Sequence, residues 1–480
     1  MAEHGTDVWW SRDEVDLLPE PYKADADQYY KGTDTMDVWF DSGSSWSSVA
    51  QTRPELDCKP GEVDMYLEGS DQHRGWFQSS LLTSVACTGA APYKMVLTHG
   101  FVLDEKGTKM SKSLGNVVDP RVIIGGGNNL KQEPAYGADV LRLWVSSVDY
   151  SSDVLIGKNI IKQVSESYRK VRGTLRFLLG NLSDFDPAAH AADAASLPSL
   201  DRYMLTRLGA VLGELEGGYD TFQLYRFSQA LQNFVVNDLS TFYLDIAKDR
   251  LYIAGAESAS RRSCQNVLYR MLVSMLPAIA PVMPHLAEDA FLHLPFEVPV
   301  GGAGGERAVS VFEMGPAREG LGAACSAEEL ALWSTLRALR NEVNKVLEAA
   351  RAEKTIGSGL DAEVSVFVAD GAVREQLGRM TGPGADEVNR LEKLLIVSGV
   401  AVHEDAESVR AMAAPGVSVA EVEPEQMEGG VCIAVRRARG RKCERCWHYC
   451  ESVGTLSAHP TLCGRCAPVV EGQPRLLSAV

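Results

Sequence analysis

The chain has no apolar run near the roughly 18 to 20 residues that cross a bilayer, so nothing in its 480 residues reads as a membrane span. Its opening, Met1 to Trp10, has neither a basic start nor an apolar core, and it is acidic rather than Arg-rich. Neither a secretory signal nor an organelle transit peptide looks like that. No internal repeat is present. The glycine cluster Gly125-Gly126-Gly127, with Asn128 and Asn129, lacks the spacing of a dinucleotide-binding turn and reads as an inserted loop. Positive charge is scarce: 47 Lys and Arg face 64 Asp and Glu, for a net charge of −17. A soluble intracellular protein, or a piece of a longer one, is the expectation.

The scarcity of basic residues does not by itself exclude nucleic acid, because the placement of positive charge matters more than the total. Arg436, Arg437, Arg439, Arg441, Lys442 and Arg445 crowd one short segment in which Glu444 is the single acid. That stripe is either a solvated loop or a phosphate contact. Of the ten cysteines, Cys58, Cys87, Cys264, Cys325 and Cys432 are scattered singly and suit reduced thiols, while five crowd between 443 and 466.

Residues 1–155 mix short strand-like runs (Met65 to Leu67, Met95 to Leu97) with a helix over Trp76 to Ala86, the grammar of an α/β domain whose functional residues sit at strand ends. Residues 156–325 turn helical: Ile160, Ile161, Val164, Tyr168, Val171, Leu175 and Leu178 recur at helical spacing, and further apolar stripes follow. A bundle is expected there. Residues 326–430 hold one strong helix, Leu330 to Ala352, then strand-like pieces at Val364 to Val368, Leu394 to Val397 and Val417 to Val422. Residues 431–480 carry the cysteine cluster.

Cys443-x2-Cys446 and Cys463-x2-Cys466 are two CxxC pairs sixteen residues apart. Each pair fits a tight turn that aims two sulfurs at one ion, and two turns complete a tetrahedron. Four thiolates with no open position suggest structural zinc, worth roughly 10–16 kcal/mol in comparable small modules. His448, Cys450 and, more weakly, His459 are rival ligands.

Lys109-Met110-Ser111-Lys112-Ser113 sets two ammonium groups three positions apart, between Gly107 and Gly115. Such a loop can grip phosphate and stabilise charge that builds as pyrophosphate leaves. This loop resembles the signature loop of class I aminoacyl-tRNA synthetases. The resemblance sharpens on both sides. Asp37 to Gly43 and Tyr66 to Phe77 look like the segments lining the adenylate pocket of isoleucyl-tRNA synthetases. Tyr136 to Trp144 looks like the helix after the signature loop, and Phe242 to Asp245, Lys248 to Tyr252 and Pro284 to Glu288 resemble anticodon-binding helices. Val343 to Glu348 with Lys354 to Gly357, and Cys443 to Trp447, resemble the C-terminal junction and zinc knuckle of the bacterial and organellar type.

The resemblance implies a multidomain protein: a partial α/β, Rossmann-like nucleotide-binding domain, an all-α anticodon-binding bundle, a small α+β junction and a zinc knuckle. It implies ATP with Mg, isoleucine and isoleucine tRNA as substrates, with one structural zinc. Lys112 would contact ATP phosphates with Lys109 assisting, Met110 would pack the loop, and Ser111 and Ser113 complete it. Glu68 beside Gly69 would hold the amino acid's ammonium or the adenylate, Trp39 and Trp76 would wall the side-chain pocket, and Asp71 and Gln72 would support it. His73 and His99 read as structural or nucleotide-contacting. Class I synthetases also carry a His-x-Gly-His element, and none of the nine histidines stands in that arrangement. The first half of the nucleotide fold and the editing insertion are therefore expected to lie outside this chain. A monomer, or a chain paired with a separately encoded half, is expected in a bacterial cytoplasm or an organelle. A valyl or leucyl type, or a tRNA-binding zinc protein without catalysis, are the alternatives.

Overall fold

The computed structural model describes residues 3–56, 58–59, 61–302, 305–315, 321, 325–382, 386–422 and 430–472. The end of the expected knuckle segment (473–480) lies outside the described residues. The chain divides into two compact units, 1–102 with 150–154, and 103–149 with 155–480.

The first unit is built on two parallel strands, β1 (Val63–Gly69) and β2 (Tyr93–His99), paired from Val63 opposite Tyr93 to Gly69 opposite His99. Helix α1 (Val38–Gly43) packs on α2 (Trp76–Thr88), which forms the crossover between the strands. The close approach of α1 to α2 requires Gly43: a Cβ there would lie 2.6 Å from Ser79 Oγ. The strands expected at 65–67 and 95–97 are thus present and longer. Leu67, Met95, Leu82 and Val85 stay exposed.

The second unit begins with the lysine loop and α3 (Ala138–Ser147). A helical array follows: α4 (Lys158–Gly180), α5 (Ser199–Asp220), α6 (Leu224–Asn233), α7 (Leu244–Tyr252), α8 (Ala259–Ile279) and α9 (Pro284–Leu292). Between α6 and α7 the helix widens to π geometry over Phe234–Tyr243. Leu205 and Leu208 of α5 and Leu268, Met271, Leu272 and Met275 of α8 are sealed from solvent, as helical spacing of apolar residues demands.

Helix α10 (Ala327–Ala352) starts on a capping box: Ser326 Oγ accepts from Glu329 N (3.1 Å) and Glu329 Oε2 from Ser326 N (3.1 Å). Beyond it lie β3 (Ala362–Val368), α11 (Gly371–Thr381), α12 (Leu391–Leu395), β4 (Gly399–Val402), β5 (Val417–Val422) and β6 (Val431–Arg437). The sheet order is β4-β3-β6-β5, with β3 parallel to β4 and antiparallel to β6. Its apolar face continues the helical core without a break, from Leu143 through Leu339 to Val435.

One expectation fails here. Leu394 to Val397 is not a strand. Leu391, Leu394 and Leu395 lie on one buried face of α12, and Ile396 ends that helix in the left-handed region (φ 55°). A run of four apolar residues has no period that separates a buried helical turn from a strand.

Candidate functional site

Parallel strands place functional groups at their carboxyl ends, and in the first unit those ends hold Glu68 opposite Thr98 and Gly69 opposite His99. The Glu68 carboxylate is exposed and makes no ion pair among the described residues; its nearest donor is Gly69 N, at 3.4 Å. It is therefore neither a helix cap nor half of a salt bridge. A Cβ at Gly69 would come within 2.7 Å of Asp71 Oδ1, so glycine lets Asp71 fold back against the strand end. Gln72 Oε1 accepts from Trp76 N (3.0 Å) and so caps α2, while its Nε2 reaches Asp71 Oδ2 (3.4 Å). Both residues support the local backbone.

The two tryptophans differ. Trp76 stacks on buried Tyr66 with ring centroids 4.1 Å apart and planes 6° apart, and its Nε1 donates to Ser42 O (3.0 Å) and Ser45 Oγ (3.3 Å). Trp39 sits at the start of α1, fixed through its backbone N to the Asp37 carboxylate (2.7 Å), and the residue is 49% exposed. His73 meets the ring of Phe77 edge-on, and His99 Nδ1 lies 2.8 Å from Gly100 O.

In the second unit, Lys109 and Lys112 are exposed and form no ion pair among the described residues. Their loop is nevertheless ordered. Gly107 and Gly115 adopt positive φ (74° and 67°), as its turns need. Ser111 Oγ lies 3.1 Å from Ser113 Oγ and accepts from Leu114 N (3.2 Å), and Val118 N contacts Met110 Sδ at 3.4 Å. Sequence reasoning gave no role to Asp104 or Asn116, which tie the loop's two ends together. The Asp104 carboxyl is held below the usual carboxylate range, first by the Asn116 side chain and then by the Thr108 backbone.

Several quoted motifs meet each other. Asp139 of α3 is 4% exposed, and its carboxylate accepts from His285 N (3.3 Å), lies 2.8 Å from His285 Nδ1, and accepts from Leu286 N (2.7 Å). Arg142 donates to the carbonyls of Pro281 (2.6 Å) and Val282 (3.1 Å). The 136–144 and 284–288 motifs are thus one joint, a carboxylate on a helix N-terminus. In the motif at 248–252, Arg250 forms a two-pronged pair with Asp201 (2.7 and 2.6 Å), which also accepts from Tyr243 OH (2.7 Å).

The four sulfurs of Cys443, Cys446, Cys463 and Cys466 lie within 4.8 Å of one another, and Cys446 Sγ is 3.7 Å from Cys463 Sγ. A tetrahedron with zinc–sulfur bonds of about 2.3 Å sets sulfurs roughly 3.8 Å apart, so the donor set fits zinc. Cys450 turns instead to Ser452 Oγ (3.4 Å), and His448 Nδ1 lies 3.1 Å from the Cys446 carbonyl. Burial pushes the Cys443 thiol up, but the N–H groups of Cys446, Cys463 and Arg445 outweigh it and hold it at about 6. Burial raises Cys446 and Cys466. A cation among them reverses that preference for the neutral thiol.

The basic stripe divides. Arg436 pairs with Glu363 directly across the β3–β6 ladder (2.9 Å), Lys442 reaches Asp361 (3.6 Å), and Arg445 donates to Ile253 O (2.5 Å) and contacts Cys466 Sγ at 3.7 Å. Those three are committed within the fold; Arg437, Arg439 and Arg441 remain exposed, as does the Trp447 ring. Arg465 then bolts the knuckle to α7 through both oxygens of Asp249 (2.6 and 2.7 Å), which also accepts from Lys393 (2.9 Å). Although burial pushes that carboxyl up, the two cations hold it well below its usual range.

A crossover between parallel strands with a free carboxylate at their ends, a paired-lysine loop, a helical array and a four-cysteine knuckle together match three family descriptions. Residues 1–157 match "tRNA synthetases class I (I, L, M and V)", residues 201–366 "Anticodon-binding domain of tRNA ligase", and residues 440–469 "Zinc finger found in FPG and IleRS". The class is that of the class I aminoacyl-tRNA synthetases. An isoleucine–tRNA ligase of Synechococcus sp. is 53% identical over 98% of this chain and 48% of its own length. The chloroplastic/mitochondrial isoleucine–tRNA ligase of Arabidopsis thaliana is 51% identical over 99% of this chain and 42% of its own. The chain belongs to the isoleucine–tRNA ligase family, and it spans about half the length of the curated relatives it matches. Among solved structures, the LeuRS of Agrobacterium radiobacter K84, crystallised with tRNA, aligns at a TM-score of 0.43 and 15% identity over 71% of this chain and 36% of that one. No helix among the described residues is long and apolar enough to cross a membrane.

Proposed function

We propose that this chain supplies the C-terminal part of the adenylation site, the tRNA-binding helices and the zinc knuckle of an isoleucine–tRNA ligase. ATP with Mg, isoleucine and isoleucine tRNA are its substrates. The observation that carries this reading is the lysine loop: two ammonium groups without ion-pair partners among the described residues, on a backbone cross-tied at both ends. Lys112 meets the ATP phosphates with Lys109 beside it, and Met110, Ser111 and Ser113 shape the loop. Adenylation places charge on the departing pyrophosphate, and fixed cations stabilise that charge more in the transition state than in the ground state. The carboxylate of isoleucine attacks the α-phosphorus once aligned, without a protein base. Glu68, beside Gly69, takes the amino acid's ammonium; Trp39 and Trp76 wall the aliphatic pocket, and Asp71 and Gln72 hold its floor.

Residues 1–155 serve as the catalytic part, 156–325 as the anticodon-binding part, 326–430 as the junction, and 431–480 as the knuckle. Two parallel strands alone leave Leu67 and Met95 exposed, whereas parallel sheets in folded proteins are covered on both faces. This supports completion of the sheet by further chain, either continuous with this one or separately encoded, in an otherwise monomeric enzyme. The relatives fit a bacterial or organellar compartment. Arg437, Arg439 and Arg441 with Trp447 offer the knuckle's tRNA-facing surface, while Arg436, Lys442 and Arg445 hold it in shape.

The test is isoleucine-dependent ATP–pyrophosphate exchange by a chimera that joins this chain to the remaining half of the Synechococcus relative. Exchange specific for isoleucine is expected, falling on the order of 10²- to 10³-fold with Lys112→Ala, as when one charge-stabilising donor is removed. The 480-residue chain by itself is expected to show none. A chimera that prefers valine or leucine, or that is indifferent to Lys112→Ala, refutes the reading.

A further inference from the structure

We propose that Asp104 and Asn116 are positioning residues for the two lysines, a carboxylate–carboxamide brace that fixes the loop on which they are presented; this rests on the synthetase reading of that loop.

The brace is built from complementary donors and acceptors. One oxygen of Asp104 accepts from the backbone N–H groups of Lys106 (3.0 Å) and Thr108 (2.8 Å), closing the turn that precedes Lys109. The main chain follows the same path: Asp104 N donates to Thr108 O (3.0 Å), Gly107 N to Asp104 O (2.9 Å), and Leu103 bridges Lys109. The other oxygen accepts from Asn116 Nδ2 at 2.9 Å. Asn116 Oδ1 in turn accepts from Ser111 N (2.9 Å), and its Nδ2 also reaches Lys109 O (3.3 Å). Two side chains therefore hold the backbone at Lys109 and Ser111, on either side of Met110 and next to Lys112.

The orientation of the carboxamide is forced. A carboxylate cannot donate and a backbone N–H cannot accept, so the amide nitrogen must face Asp104 and the amide oxygen must face Ser111. The low-lying Asp104 carboxyl agrees with that donation. The arrangement has a chemical purpose. Lysine side chains are flexible point charges, and their grip on a developing negative charge depends on where their backbone is held. Neither Asp104 nor Asn116 need touch a substrate to set that position. The next residue, Glu105, extends the anchorage: its carboxylate accepts from Asn159 N (2.7 Å) and Ile160 N (3.3 Å) at the start of α4. The loop's base is thereby fixed to the first long helix of the array.

Complementarity gives a test that separates this role from general stability. Asp104→Asn turns a donor toward the Asn116 donor, and Asn116→Asp sets two carboxylates face to face. The double exchange D104N/N116D restores one donor opposite one acceptor and keeps an oxygen for Ser111 N, giving up only the longer contact from residue 116 to Lys109 O (3.3 Å). On the 480-residue chain, tryptic cleavage after Lys109 and Lys112 is expected to quicken about tenfold in either single variant, the scale of one lost charge-assisted hydrogen bond. The double exchange is expected to return to within about twofold of the original, with the helical unfolding midpoint unchanged throughout. In the chimera, kcat for isoleucine-dependent exchange is expected to fall about tenfold in each single variant, with the KM for isoleucine unchanged, and to recover in the double. Singles that match the parent, or a double no better than the singles, overturn the brace. Faster cleavage without any fall in kcat overturns the positioning role and leaves the synthetase reading standing. A parent chimera inactive with isoleucine overturns that reading, and the positioning role with it.

Discussion

Replacing Asp201 by Asn tests how the helical array is held together. Asp201 on α5 is fully buried and Arg250 on α7 is 5% exposed, so the charges of this pair are almost entirely removed from water. Arg250 also donates to Ser260 O (3.0 Å) and Ser263 Oγ (2.7 Å) on α8, and Tyr243 OH donates to Asp201 (2.7 Å). Three helices and the π segment thus converge on one ion pair. Asp201→Asn keeps the shape and leaves an acceptor for Tyr243, but strands the guanidinium in the core without a counter-charge. Removing one partner of such a pair costs roughly 3–5 kcal/mol, whereas removing both charges is often nearly neutral. Arg250→Met is expected to cost about the same as Asp201→Asn, and the double variant far less than the sum. Scanning calorimetry of the chain should show the helical transition lowered on the order of 10 °C in each single variant. A loss under about 1 kcal/mol in both singles, or strict additivity in the double, refutes the idea that an unpaired buried charge is what hurts.

The knuckle is expected to bind one equivalent of zinc, to lose it with Cys443→Ser and Cys463→Ser, and to bind cognate tRNA more weakly as a result; unchanged metal content by mass spectrometry or unchanged tRNA affinity contradicts this. Asp184, paired with Arg261 and Arg262, has its carboxyl lowered to about 2, first by the Arg261 hydrogen bond against an opposing push from burial. A lowered folded-state value means the stabilisation is complete above the ordinary carboxylate range and disappears as pH falls from about 4 toward about 2. Asp184→Asn should therefore flatten the acid limb of the unfolding curve in that window, and an unaltered limb rules the pair out as a contributor.

Groupings made of contiguous residues are the kind a sequence can announce before any coordinates. The lysine loop and the paired CxxC turns each bring their functional atoms together within a few positions, so type and spacing suffice. The helices were readable for a similar reason, since apolar spacing reports a local period. What escaped is tertiary. Asp139 and His285 are 146 positions apart and Asp201 and Arg250 are 49 apart, and no local pattern announces such partners. The stripe at 436–445 shows the same limit: charge was visible, yet Glu363 as the ladder partner of Arg436 was not. Two signals were available and unused. Ser326 with Glu329 spells a capping box ahead of α10, and Asp104 with Asn116 flanks the lysine loop almost symmetrically.

The joint between Asp139 and α9 also bears on how this protein is made. Synthesis proceeds from the N-terminus, and segments dock only after their partners have left the ribosome. Asp139 must wait for His285 and Leu286, some 146 positions later, before its buried carboxylate has any N–H to meet. Until then α3, which follows the lysine loop, lacks this last anchor on α9. A pause in translation before Pro284 leaves α3 packed on α4 and α6 while the Asp139 carboxylate still lacks these partners.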